Sequence, residues 1–233
     1  MSNSTDKQFR SLIRSGTERR KILLRTNIIL LLALLTMIFI VPVIHSVDHH
    51  FTKVLLGIVV VSGLFAADFN KTAFRFLFIL GTVVILETML SFFFFRSKYL
   101  ADLTIILNIL FFIVVTGALV THVAMAKEVY GSTLICAINS YLLIGLTVSL
   151  LFVLMDIVNP ESFTQVDSTK GSYSTFIYFG FVTLSTLGYG DITPDTPLAR
   201  SFSIFTALFG QLYLVTIMAI IIGKLLNAKK TTE

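Results

Sequence analysis

Long uninterrupted apolar stretches alternate with short polar clusters along the chain, and six of them are near or above the ~20 residues a helix needs to cross ~30 Å of hydrocarbon. They are 22–44, 52–69, 73–95, 100–126, 132–158 and 199–226, the second being the shortest. A seventh stretch, 173–185, is apolar and aromatic but too short to cross. Lying between two spans, it reads as a re-entrant helix. The expected fold class is an all-α membrane protein with six transmembrane helices.

Composition agrees. Of 233 residues 55% are hydrophobic and 13% charged, with mean hydropathy +0.89, which excludes an ordinary soluble domain. The formal charge of +5 would suit nucleic acid, but the basic cluster abuts the first span, so anchoring and lipid head-group contact explain it better. No nucleic-acid partner is expected. Residues 1–21 are polar and basic without a short apolar core and cleavage site, so the first span is expected to be retained. Cys136 is the single cysteine and leaves no intrachain disulfide.

With the amino terminus inside, thirteen of the 18 Lys and Arg residues fall on the cytoplasmic side and five on the outer side. Six spans satisfy the positive-inside rule and put both termini in the cytoplasm. Dropping the second span would place the basic amino terminus outside.

The run Thr186-Leu187-Gly188-Tyr189-Gly190-Asp191 follows the short helix directly. Alternating glycines allow an extended, partly left-handed path that aims successive carbonyls the same way. Rings of such carbonyls, contributed by several chains, replace the hydration shell of a potassium ion. The Thr186 hydroxyl adds an oxygen ring at the inner end, and Tyr189 is placed to brace the column from behind. A glycine-rich surface turn is the bland alternative, and the flanking apolar helices argue against it.

From Ser140 to Lys224 the chain resembles the potassium channel superfamily, in its bacterial six-transmembrane, voltage-gated-like form. The run Tyr178-Phe179-Gly180-Phe181-Val182-Thr183-Leu184-Ser185 followed by Thr186 to Pro194 carries the resemblance. It implies a pore domain over 132–226, with an outer helix 132–158, a pore helix 173–185, a selectivity filter 186–191 and an inner helix 199–226. One filter loop per chain implies a tetrameric pore of four identical subunits. Leu187 stands where Val is commoner. Tyr178 and Phe179 stand where a Trp pair often cuffs the filter; Phe179 cannot donate to Tyr189, whereas Tyr178 has reach to Asp191. The carboxyl end of the pore helix is expected to face the cavity, with Thr183 and Ser185 as hydrogen-bonding groups at the filter entrance. Gly210 lies at the family's gating-hinge spacing, and a close helix contact is the equal alternative. The apolar run 216–222 is a candidate dewetting constriction.

Residues 22–126 form a four-helix, voltage-sensor-like domain. Its fourth helix carries no Arg or Lys from Leu103 to Ala126, so weak or absent voltage dependence is expected. Glu87 and Asn108 each lie eight residues from the outer ends of their spans, at one depth, with Thr36 and Ser62 near it. This is either a structural polar layer or a proton- or cation-sensitive gating site. His45, His49 and His50 are metal-capable, with solvated loop histidines as the ordinary alternative and zinc as the candidate ion. The connection 127–131 is too short for a linker passing under a neighbour, so each four-helix domain is expected beside its own pore.

Beyond Lys224 only a short tail is expected, 227–233 of it cytoplasmic, so gating is expected from the membrane itself, the four-helix domain, ions, pH, lipid or a separate partner. The function expected is passive, potassium-selective conduction, with K⁺ as permeant ligand, no cofactor, no enzymatic chemistry, and a prokaryotic inner membrane as the setting. A potassium transporter component is the alternative from another class, and a non-conducting regulatory subunit is a third.

Overall fold

The structure, a computed structural model, describes residues 2–43, 49–66, 71–93, 98–126, 129–164 and 172–230. Among them run seven helices: α1 (Ser2–Val43), α2 (His49–Ala66), α3 (Lys71–Phe93), α4 (Lys98–Met125), α5 (Gly131–Val158), α6 (Ser172–Leu184) and α7 (Pro197–Lys230). Two short strands, β1 (Phe163–Thr164) and β2 (Thr193–Pro194), pair antiparallel.

Among the described residues four helices are long and apolar enough to cross a membrane, over Lys21–Val41, Asp102–Met125, Gly131–Val158 and Pro197–Leu226. The apolar parts of α2 (Val54–Ala66) and α6 (Tyr173–Leu184) are shorter. α1 continues back to Ser2 without a break, so the basic segment before the first span extends the same helix.

Packing follows a helical period drawn in apolar residues only. On α1, Leu30, Leu34, Met37 and Val41 are buried while Ile29, Leu32 and Phe39 face outward. Both faces are apolar because the surroundings of the outer one are hydrocarbon, not water. α1 and α4 pack on α5 of the same chain, and α6 lies between α5 and α7.

The buried polar groups tie these helices together. Asn27 on α1 donates to the Leu23 and Ala66 carbonyls at 2.9 and 2.6 Å, and Asn139 on α5 donates to the Asn27 carbonyl and side-chain oxygens at 2.9 and 3.0 Å. An amide in an apolar helix requires such partners. At the other end of the bundle, Ser174 of α6 donates to the Val41 carbonyl of α1 at 3.1 Å. At the end of α4, the Lys224 ammonium of α7 donates to the Val123 and Ala124 carbonyls at 2.9 and 2.7 Å.

Candidate functional site

α6 ends in a Schellman arrangement. The Thr186 N–H donates to the Thr183 carbonyl at 3.0 Å and the Leu187 N–H to the Val182 carbonyl at 2.9 Å. That motif needs a left-handed residue just past the helix, usually glycine. Here it is Thr186, with φ 61°, among the described residues the one non-glycine at positive φ. A β-branched side chain there costs on the order of 1–2 kcal/mol. Such strain at a site that presents a hydroxyl points to a use for that hydroxyl.

Beyond it the left-handed conformation recurs at every second residue, at Gly188 (φ 56°) and Gly190 (φ 80°). In a strand, successive carbonyls point to opposite sides. Alternating the sign of φ is the backbone pattern by which every second peptide turns over and successive carbonyls can be aimed one way. Leu187 and Tyr189 are 56% and 67% exposed, so their own chain does not cover them.

Behind the loop, Phe179 is buried in an aromatic cluster, 4.8 Å from Phe152 and 5.4 Å from Phe163 between ring centres. Phe152 also meets Phe202 of α7 at 5.3 Å, so one cluster joins α5, α6 and α7. Tyr178 points the other way and donates to the Asp191 carboxylate at 2.7 Å. That hydrogen bond, before burial and nearby charge, pushes the phenol up to about 12. The outer loop is pinned further by the Asp195 N–H on the Ser162 carbonyl at 2.8 Å and by Arg200 on Asp195 at 2.9 Å.

Of the groups expected at the filter entrance, Ser185 is placed otherwise. The Ser185 hydroxyl turns back onto the Phe181 carbonyl at 2.7 Å, where a short side chain on a helix end finds its nearest acceptor. The polar side chain that reaches Thr186 is Gln211, whose Nε2 donates to its hydroxyl at 3.2 Å. The signal for Gln211 was an amide inside an otherwise apolar helix. Gly210, beside it, packs against α6: a β-carbon there would lie 2.3 Å from the Leu184 carbonyl oxygen. α7 runs through Gly210 as continuous helix.

In the four-helix part, Glu87 and Asn108 are both buried and meet through Thr104. Thr104 donates its hydroxyl to the Glu87 carboxylate and accepts the Asn108 amide on its carbonyl at 2.8 Å. Thr36 and Ser62 are not part of this group. Each bonds a carbonyl of its own preceding turn, at 2.7 and 2.9 Å, the local choice open to any helical hydroxyl. The side chains of His45, His49 and His50 fall outside the described residues. Among the described residues no three His, Cys, Asp or Glu side chains gather as a metal site.

α7 presents an apolar face that its own chain leaves open, with Leu208, Leu212 and Val215 exposed. Residues 140–227 match a family model described as "Ion channel". A "Two pore potassium channel c" of Oryza sativa subsp. japonica is 47% identical over 51 residues, covering 22% of this chain and 11% of that protein. A "Two-pore potassium channel 2" of Arabidopsis thaliana is 56% identical over 34 residues, 15% and 8% of the two chains. A "Potassium channel K1" of Plasmodium berghei (strain Anka) is 35% identical over 63 residues, 27% of this chain and 3% of that protein. The chain thus covers about a tenth or less of the length of these relatives.

Proposed function

We propose that this chain is one subunit of a homotetrameric, potassium-selective channel that conducts K⁺ passively. The observation that carries the reading is the repeated left-handed backbone at Thr186, Gly188 and Gly190, a pattern that would aim the carbonyls of 186–190 one way. Four such columns around an axis would offer stacked oxygen rings to a dehydrated cation. The uncovered Leu187, Tyr189 and apolar α7 face are surfaces that three further copies would cover. The carboxyl end of α6 would add roughly half a negative charge per subunit at the cavity. Asp191, held by Tyr178, would place a negative ring at the outer mouth.

In this reading α1 to α5 and α7 are the six spans. Residues 22–126 form a domain beside their own pore, and both termini lie in the cytoplasm of a prokaryotic cell. The short path from α4 to α5 and their packing in one chain support that placement. Without an Arg or Lys from Leu103 to Ala126, conduction is expected to depend weakly on voltage.

The test is potassium against sodium flux through purified protein in liposomes, with barium as blocker and Gly188→Ser as control. Potassium-selective, barium-sensitive flux that the substitution abolishes supports the reading. Equal sodium and potassium flux, or uptake against a gradient that needs an energy source, defeats it.

A further inference from the structure

We propose that Gln211 is a positioning residue for the innermost cation site, holding the Thr186 hydroxyl so that its oxygen is turned to the pore axis. The inference rests on the potassium-channel reading and deepens it at one residue.

The carbonyl oxygens of 186–190 are backbone and are aimed by φ. The Thr186 hydroxyl is a side-chain oxygen, and it turns about χ1 unless something holds it. Its backbone is pinned by the N–H bond to Thr183 and by φ 61°. Its hydroxyl carries one proton and two lone pairs. The Gln211 amide occupies one lone pair at 3.2 Å, leaving the other for a cation.

The approach depends on the residue before it. Gly210 seats α7 directly on the Leu184 carbonyl, two residues ahead of Thr186, and the next side chain along α7 then comes within reach of the hydroxyl. An amide in the run 204–222 is unfavourable in hydrocarbon without a partner. Tyr213, two positions further along α7, is engaged elsewhere: it donates to the Ala137 carbonyl at 2.9 Å. Around a fourfold axis, four amides would form a ring beneath four hydroxyls. Gln211 therefore sets how well the lowest site replaces water around a cation, while the carbonyl sites above are left to the backbone.

Barium is the probe, because a divalent ion reports the lowest site's oxygens strongly and its binding needs no open gate. Its affinity would be titrated calorimetrically on the full-length tetramer in detergent and sodium buffer, with potassium as competitor. Wild-type protein is expected to bind barium and lose it to potassium. Gln211→Leu is expected to weaken barium about tenfold. Gln211→Glu, which keeps a partner for the hydroxyl and adds charge, is expected to tighten it, an outcome a packing role would not give. In a Thr186→Val background Gln211→Leu should have no further effect, since the group it positions is gone.

Equal weakening by Gln211→Leu with and without the Thr186 hydroxyl overturns the inference, as does unchanged affinity in Gln211→Leu. Should either Thr186→Val variant fail to assemble, the opposite signs of Gln211→Leu and Gln211→Glu decide alone. Wild-type protein that binds no potassium-displaceable barium overturns the channel reading itself, which is a different result from either.

Discussion

The α-carbon of Gly210 sits so close to the Leu184 carbonyl that a β-carbon would come to 2.3 Å of its oxygen. The neighbouring atom is backbone, so it cannot swing aside. α7 can take a larger residue at 210 only by moving away from α6, and that separates the end of the short helix from the helix beneath it.

Gly210→Ala is therefore expected to destabilise the protein by about 1–3 kcal/mol, as overpacking does. Gly223, on the same helix, has open space where its β-carbon would be. Gly223→Ala should be neutral or stabilise by up to ~1 kcal/mol through helix propensity. Thermal unfolding of both variants in detergent checks this. Similar midpoints for the two would show that the glycine at 210 serves bending and not contact.

Tyr178→Phe removes one hydrogen bond to Asp191 per subunit and leaves the ring in place. A loss of about 1 kcal/mol per subunit is expected, discounted for exposure, with potassium selectivity retained. Sustained flux should decay faster, because the outer end of the loop loses a tether. The phenol is raised from 10.0 to about 12, so its bonded, neutral form is favoured in the folded protein. That contribution is fully present below pH 10 and is lost as pH rises from 10 through 12. Wild-type stability should fall across that window more steeply than that of Tyr178→Phe.

How much of this was readable beforehand depends on the range of the interaction. The loop 186–191 was legible in its backbone because that property is local: glycines at alternate positions predict the left-handed residues found at 188 and 190. Tyr178 and Asp191 lie 13 residues apart across one turn, and their contact followed from side-chain length. Glu87 and Asn108 were placed at one depth by counting from helix ends, but Thr104, which joins them, sits one turn away and carries no signal of its own. Asn27 and Asn139 are 112 residues apart. Their only trace was an amide in each of two apolar spans, which says that a partner exists and not which one. Gln211 belongs to the same class. In a membrane both helix faces are apolar, so periodicity cannot say which side packs, and polar residues become the better guide.

The Glu87–Thr104–Asn108 group gives an unequal pair of substitutions. Thr104→Val keeps the shape but removes the donor to a buried carboxylate, an effect of about 1–3 kcal/mol on stability. Glu87→Gln keeps an oxygen that accepts from Thr104 and is expected to be milder. Thermal unfolding of the two variants, scored against wild type, tests the order. A larger loss in Glu87→Gln would mean that the carboxyl group matters beyond the bond it accepts from Thr104.

Lys224 offers the last test, because it joins the end of α7 to the end of α4 by two hydrogen bonds to carbonyls that α4 itself cannot satisfy. The cation also sits at the negative end of the α4 dipole. Lys224→Met keeps the apolar stem and removes both effects, so about 1 kcal/mol of local stability should be lost in the last turn of α4. Hydrogen exchange of amides in 119–125 would read this as roughly fivefold faster exchange, with α1 unaffected. Lys224→Arg keeps the charge and the donors and should restore most of the protection. If Lys224→Met left exchange in α4 unchanged but altered flux, the contact would belong to the movement of α7 and not to the anchoring of α4.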